Sequence, residues 1–269
     1  MSFEALQVRP GHRARLSRLD PADASSFPGG KGRAERSLPA RRAELDRLQE
    51  LLFADGRWGV LVVLQGMDTA GKDATIRHVF EGVNPQGVRV APFRAPTPEE
   101  RAHDFLWRIH AHTPGKGEIV IFNRSQYEDV LIARVHQLVP RTVWSKRFAA
   151  INDFERELYG EGCRILKFFL HISQKEQALR LRERIQDSSK QWKLSASDVL
   201  ERSYWPRYME AYEEMLEKTS TAWAPWYVVP SDHKWLRNLV VVTVLVETLR
   251  GLGLRYPPPT VDLSSIKID

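Results

Sequence analysis

Gly66-Met67-Asp68-Thr69-Ala70-Gly71-Lys72-Asp73 follows directly on the apolar run Val60-Leu61-Val62-Val63-Leu64. The stretch reads G-x-x-x-x-G-K at the exit of a buried strand, the arrangement that turns backbone N–H groups onto phosphate oxygens. Gly66 and Gly71 permit the tight loop and a close backbone approach, and Lys72 neutralises charge on bound phosphates. Ile76 to Phe80 continue the pattern as a helix. An ordinary glycine-rich turn has the same spacing, but strand, loop and helix in that order favour a phosphate loop. Asp73 stands where Ser or Thr normally offers a hydroxyl to Mg²⁺, and Asp68 adds a second acid. Two carboxylates beside a phosphate cradle repel the substrate unless a cation lies between them. Asp68 therefore reads as a metal-side acid, while Asp73 reads equally as metal-side or as a first-turn acid answering the helix dipole.

The rest of the 269-residue chain is consistent with one large α/β domain. No apolar run reaches the roughly 18 residues of a membrane span, and Met1-Ser2-Phe3-Glu4 lacks the apolar core of an export signal. A cytoplasmic protein with no membrane partner is expected. Cys163 is the only cysteine, which excludes an intramolecular disulfide and a cysteine metal cluster. The net charge of +6 and pI near 9.5 point to a polyanionic partner: nucleic acid, an acidic membrane or a phosphate-rich substrate. No recognisable nucleic-acid module accompanies that charge.

Strands are predicted at 87–93, 118–123, 164–171 and 226–229 beside the one before the loop. Helices are predicted over 38–53, 98–112, 126–160, 173–185, 196–218 and 234–251. Five strands alternating with helices specify a parallel sheet covered on both faces. Residues 1–36, rich in Arg, Pro, Gly and Ser, read as an extended basic arm whose most flexible part is Gly29 to Arg33. The domain then spans 37–257, and 258–269 form a tail.

Ligands of open α/β sheets bind at the carboxyl ends of the strands. The predicted strand Ile119 to Phe122 ends there in Asn123-Arg124-Ser125-Gln126-Tyr127-Glu128-Asp129. Arg124 is a candidate phosphate clamp, because its planar fork matches phosphate oxygens. Glu128 and Asp129 are candidates for metal, for a substrate's ribose or base, or for helix N-terminal charge. A third segment, Arg180 to Lys193, carries Arg180, Arg182, Arg184, Lys190 and Lys193. Beside a phosphate loop it reads as a lid over about 180–195 that adds positive charge and excludes water; alone it would read as a solvated basic face. Trp192 reads as the packing anchor of that loop. His103, His110 and His112 lack metal spacing and read as structural or surface groups. Trp223, Trp226 and Trp235 read as core or subunit contact.

These motifs together resemble the polyphosphate kinase 2 family. The resemblance runs through Gly66 to Asp73, Phe122 to Val130, Leu166 to Ser173, Trp192-Lys193-Leu194-Ser195 and Thr219 to Trp226, in order, and covers about residues 25 to 257. It implies a thymidylate-kinase-like P-loop fold, a five-stranded parallel sheet between helices with a helical lid. It also implies transfer of a terminal phosphoryl group between inorganic polyphosphate and a nucleotide, with Mg²⁺ or with Mn²⁺ in its place. Catalytic roles then fall to Asp68, Lys72, Arg124, Glu128 and Arg184, and metal binding to Asp68 and Glu128. Phosphate binding falls to Gly66, Ala70, Gly71, Lys72, Asp73, Lys190 and Lys193. Lys31, Arg33, Arg180 and Arg182 follow as polyphosphate contacts, and Asn123, Arg124, Glu128 and Asp129 as nucleotide contacts.

The chain departs from many members at Asn123, where Asp would supply a Walker-B-like acid. Asn-Arg-Ser-x-Tyr-Glu-Asp looks like the subgroup (class III) that phosphorylates nucleoside mono- and diphosphates, which makes Glu128 the compensating acid. AMP, ADP and ATP are then the nucleotide partners, and a homo-oligomer, dimer or tetramer, is expected. Two rival readings stand beside this one. An ATP-dependent nucleoside or nucleotide kinase would share fold and loop but leave the basic lid unexplained. A non-catalytic polyanion-binding protein would leave Asp68, Glu128 and Asp129 without a purpose.

Overall fold

The computed structural model describes residues 3–194, 196–266 and 268. Its sheet has five strands: β1 (Gly59–Gln65), β2 (Val88–Pro92), β3 (Ile119–Asn123), β4 (Cys163–His171) and β5 (Trp226–Pro230). All pair in parallel, in the order β2-β3-β1-β4-β5. Every residue of β1 is buried, as the unbroken apolar run required of a strand covered on both faces. The helices are α1 (Gly30–Asp55), α2 (Lys72–Val79), α3 (Pro98–Ala102), α4 (Trp107–His110), α5 (Ile132–Val135), α6 (Arg141–Gly160), α7 (Gln174–Gln186), α8 (Ala196–Ser203), α9 (Trp205–Thr219) and α10 (Lys234–Gly251). One group, α1, α2 and α10, packs together; α5, α6 and α9 form the other. This is the predicted α/β architecture of the P-loop kinases.

Several predicted helices are broken where the backbone chemistry demands it. The stretch 126–160 becomes a 3-10 turn (Gln126–Asp129), α5 and α6, with Pro140 starting α6. The stretch 196–218 divides at Tyr204, with Pro206 in the first turn of α9. The stretch 98–112 divides into α3, begun by a capping box between Thr97 and Glu100, and α4.

The expected basic arm is corrected. Helix α1 begins at Gly30, so the anticipated boundary at 36/37 falls inside a helix, and Lys31 and Arg33 sit on its first turns. Ahead of it, Phe3, Val8, Leu16 and Phe27 are buried. Val8 N–H donates to Trp226 O at 2.8 Å, and Gln7 bridges Tyr227, so this segment closes the open edge of β5. Glycines and arginines suggested freedom; a few spaced apolar anchors overrode them.

Candidate active site

In the sheet order, β3 and β4 flank β1, and the chain departs in opposite directions on either side of it. The crevice at such a switch point receives two loops. Leu64 pairs in register with Asn123, so the segment after β3 emerges beside the loop after β1.

That first loop is tight. Gly71 has φ 111° and Thr69 φ 64°, both in the left-handed region. A Cβ on Gly71 would lie 1.8 Å from Nη1 of Arg237, so the motif's glycine also admits a buried guanidinium. Lys72 is only 9% exposed and donates from Nζ to Gly66 O (2.7 Å) and Met67 O (3.3 Å). Burial first, and then the Arg124 charge, push its amine down to about 8 against the pull of Asp68, Glu128 and Asp73.

Arg124, just past β3, has φ 65°, a strained conformation for a non-glycine residue that persists where surrounding contacts enforce it. Its Nη2 donates to Asp68 Oδ1 at 2.9 Å and its Nη1 to Glu128 Oε2 at 3.4 Å. Glu128, more than Asp68, raises its pKa, against the opposing effect of burial. Asn123 Nδ2 donates to Asp73 Oδ1 at 2.8 Å, tying the end of β3 to the start of α2. Burial alone would raise the Asp73 carboxyl. The Asn123 hydrogen bond, then Lys193, Lys72 and Arg184, bring it below the usual carboxylate range.

The structure thus gathers Asp68, Lys72, Asp73, Asn123, Arg124 and Glu128, and brings Lys193 of the lid segment to 3.7 Å from Asp73. Arg184 lies close enough for its charge to reach Asp73. Other expected residues are turned elsewhere. Asp129 Oδ1 accepts from Arg147 Nη1 at 3.0 Å and its Oδ2 lies 3.8 Å from Arg108, so that carboxylate is committed to two arginines. Lys190 pairs with Asp187 at 2.5 Å and Arg182 is exposed on α7. Lys31 borders a cavity of about 460 Å³ shared with Arg42, His78, Lys234 and Arg237; Arg33 is exposed nearby on α1.

Arg180 is a correction. It is 6% exposed, and its guanidinium donates to the carbonyls of Thr69, Ala70, Ser231 and Asp232 and to Glu176. A group so buried and so fully used does not line a polyanion groove. Trp192 is a second correction: it is 78% exposed, with Lys193 over its ring at 5.1 Å, so it is no packing anchor, and its Nε1 donates to Ser189 O of its own loop at 3.0 Å. Ser195, the end of the fourth quoted motif, lies outside the described residues. Trp226 is core, whereas His103, His110 and His112 pack on Trp107, Phe154 and Phe93.

Sequence reasoning missed the supports of this site. Lys167, in the middle of β4, is fully buried and donates to Glu155 Oε2 (2.6 Å), Tyr127 OH (2.9 Å) and Thr219 O (2.6 Å). Glu155 Oε1 accepts from Tyr127 OH (2.5 Å) and Gln126 Nε2 (3.1 Å), which fixes the turn between Arg124 and Glu128. A lysine inside Ile165-Leu166-Lys167-Phe168-Phe169 was the available signal, since a buried ammonium requires a partner. Tyr212 of α9 was also missed. Burial, then the Glu128 charge, raises its phenol well above the ordinary value, which puts it beside the Arg124 cluster.

Among the described residues, no group of three or more His, Cys, Asp or Glu side chains is arranged as a metal cage. Mg²⁺ does not need one, since it takes one or two carboxylates and completes its shell with waters and substrate phosphates. Asp68 and Glu128, hard oxygen donors meeting at Arg124, fit that description, and the buried Thr69 hydroxyl on the same loop has no hydrogen-bond partner.

A family model described as Polyphosphate kinase 2 (PPK2) matches residues 30–253. The chain is 54% identical over 263 residues to the AMP/ADP-polyphosphate phosphotransferase of Meiothermus ruber, covering 98% of each chain. It is 44% identical to the ADP-polyphosphate phosphotransferase of Rhodopseudomonas palustris, covering 94% of this chain and 92% of that one. The crystal structure of Polyphosphate Kinase 2 from Arthrobacter aurescens superposes with a TM-score of 0.93 at 45% identity, covering 97% of this chain and 93% of that one.

Proposed function

The chain belongs to the polyphosphate kinase 2 family, and on that premise we propose that it moves the terminal phosphoryl group of inorganic polyphosphate onto AMP and ADP, giving ADP and ATP. It is a phosphotransferase, and the observation that carries the finer reading is the convergence of Asp68, Arg124 and Glu128 beside the buried Lys72. The 54%-identical relative named for both AMP and ADP supports the choice of acceptors.

In phosphoryl transfer the protein mainly positions groups and neutralises charge. Loop N–H groups and Lys72 hold the donor's terminal phosphates. An oxygen of the acceptor's phosphate attacks the terminal phosphorus in line, and the bond to the bridging oxygen breaks, leaving the polyphosphate one unit shorter. Arg124 spans donor and acceptor phosphates, exchanging its contacts with Asp68 and Glu128 for phosphate oxygens. Arg184 and Lys193 add charge from the lid, and the exposed Arg182, Lys190, Lys31 and Arg33 attract the rest of the polyanion. Asp68 and Glu128 would hold Mg²⁺ through oxygen, and when bound it would neutralise charge on the phosphates; Mn²⁺ has the same ligand chemistry. Asn123 orients the nucleotide end through its bond to Asp73, and Asp129 supports that end through Arg108 and Arg147.

The enzyme is proposed to act in the cytoplasm. No helix among the described residues is long and apolar enough to cross a membrane. A homo-oligomer, dimer or tetramer, is proposed from the exposed Leu138, Trp192, Val199 and Leu200 side chains, and light scattering on the purified protein tests it.

Purified protein with polyphosphate, Mg²⁺ and either AMP or ADP, followed by nucleotide chromatography, tests the activity. ADP and ATP should form with polyphosphate as the only donor. A requirement for ATP as donor would move the protein to the nucleotide kinases, and no turnover with nucleotide present would leave only polyanion binding.

A further inference from the structure

Each of the five successive carbonyls from Gly66 to Ala70 accepts a hydrogen bond from a side chain. Lys72 takes Gly66 (2.7 Å) and Met67 (3.3 Å). Gln177 Nε2 takes Asp68 at 3.0 Å, and Arg180 Nη1 takes Thr69 at 3.0 Å and Ala70 at 3.1 Å. Arg237 Nη1 reaches Ala70 as well, at 3.1 Å. In a trans peptide the C=O and the following N–H point in opposite directions. Holding the Asp68, Thr69 and Ala70 carbonyls on Gln177, Arg180 and Arg237 therefore turns the N–H groups of Thr69 and Gly71 away from those three side chains, while the Ala70 N–H closes a turn on Met67 O (3.1 Å).

Two of these side chains come from α7, the helix that leads into the lid, and one from α10. Both arginines are buried, Arg237 at 1% exposure and with no ion pair among the described residues. Burying a guanidinium without a carboxylate is unfavourable, and Arg237 is met instead by the Ala70 carbonyl and by Asn238 Oδ1, which accepts from its Nε (3.2 Å) and Nη2 (3.0 Å). Its field lies directly beneath the loop, and the Gly71 position has room for it only because glycine lacks a Cβ. Arg180 also joins the loop to Ser231 and Asp232 after β5, with bonds of 2.6 and 3.0 Å. Arg184 lies one helical turn further along α7, on the same face as Arg180.

We infer that Gln177, Arg180 and Arg237 are positioning residues: they hold the loop's carbonyls away from the bound anion and fix the base of the lid helix to the loop. The inference rests on the reading of residues 66–73 as the phosphate site. Arg180 serves acceptors on two separate loops through a planar fork, a geometry that an ammonium does not reproduce.

The test compares full-length Arg180→Lys, Gln177→Leu and Val240→Ala, the last removing buried core volume on α10 without touching a hydrogen-bonding side chain. Binding of inorganic tripolyphosphate is measured by calorimetry, turnover by nucleotide chromatography and folding by thermal melting. Arg180→Lys should weaken tripolyphosphate binding about tenfold and lower kcat, the scale of losing preorganised electrostatic support. Gln177→Leu should weaken binding about threefold with little change in melting, and it carries the test if the arginine variant does not fold. Val240→Ala should lose melting temperature and keep its affinity. A folded Arg180→Lys or Gln177→Leu that binds like wild type overturns the inference, as does an equal loss of affinity in Val240→Ala, which would mean that affinity follows stability. If wild type and Lys72→Ala alike fail to bind tripolyphosphate, the phosphate-loop reading itself fails.

Discussion

Arg124 Nη2 sits 2.9 Å from Asp68 Oδ1, which links the end of β3 to the tip of the loop after β1. With Glu128 on its other nitrogen at 3.4 Å, Lys72 buried close by and Lys193 3.7 Å from Asp73, the centre sets the cations Lys72, Arg124 and Lys193 against the carboxylates Asp68, Asp73 and Glu128. A polyphosphate chain entering it brings uncompensated negative charge. On the proposed function, cations of the segment after Arg180 and a divalent ion would balance that charge.

Lys72→Ala should lower turnover at least about a hundredfold with folding intact, the scale of losing one preorganised charge in a dry site. A pH profile adds a sharper check. The free-enzyme amine, brought down to about 8 by burial, is charged below that pH and neutral above it. The charged form holds phosphate, so kcat/KM for polyphosphate should be level at lower pH and fall as pH rises through about 8. Bound phosphate favours the ammonium, so the limb in kcat should lie higher. A limb that persists unchanged in Lys72→Ala would assign it to another group.

Glu128→Ala should reduce catalytic efficiency on AMP severely and spare more of that on ADP. A monophosphate ends further from the donor, and Glu128, acting through a cation or a water, is the group placed to bridge that gap from its position on Arg124. Measuring both substrates with the same preparation controls for damage to the fold. Equal losses would place Glu128 in the common machinery.

Raising salt should weaken polyphosphate binding more than nucleotide binding, because more charged contacts are screened and more counterions released. Within the lid the two lysines should differ. Lys193 faces Asp73 in the centre, whereas Lys190 is paired with Asp187 at 2.5 Å. Lys193→Ala should flatten the salt dependence more than Lys190→Ala, and binding isotherms at several salt concentrations decide it. A larger effect at Lys190 would reverse the assigned path of the polyanion.

Glu155→Ala should destabilise the protein by about 3–5 kcal/mol, since it strands Lys167 as a buried unpaired cation. The double change Glu155→Leu with Lys167→Met should recover much of that loss. Urea unfolding of the three proteins gives the comparison. A double variant no more stable than Glu155→Ala would show that Tyr127 and Thr219, not the charge pair, dominate the network.

The parallel α/β sheet, its five strands and the phosphate loop were legible because each depends on near neighbours in the chain. An apolar run long enough for a strand, two glycines and a lysine at set spacing, and a helix directly after them are local facts, and so is the polar cluster that ends β3. The unity of the helices was not legible, since Pro140 and Pro206 break segments whose periodicity continues across them. Nor was the packing of residues 3–36, which depends on Phe3, Val8 and Phe27 finding distant partners.

At the site itself, sequence alone determined which residue types gather: Asp68, Lys72, Arg124 and Glu128 follow from motif and strand end. Only the tertiary structure decided which way the other charges face. Arg180 and Arg184 are equivalent on paper, four residues apart on one basic helix, yet Arg180 is turned under the loop onto four carbonyls, while Arg184 is left to the Asp73 side. Lys167 and Glu155 are twelve residues apart and carry no motif, but the packing of α6 on β4 joins them at 2.6 Å. The physical reason is desolvation. A charge that folding removes from water must be met by carbonyls or an opposite charge, and those partners come from segments that only the completed fold brings together.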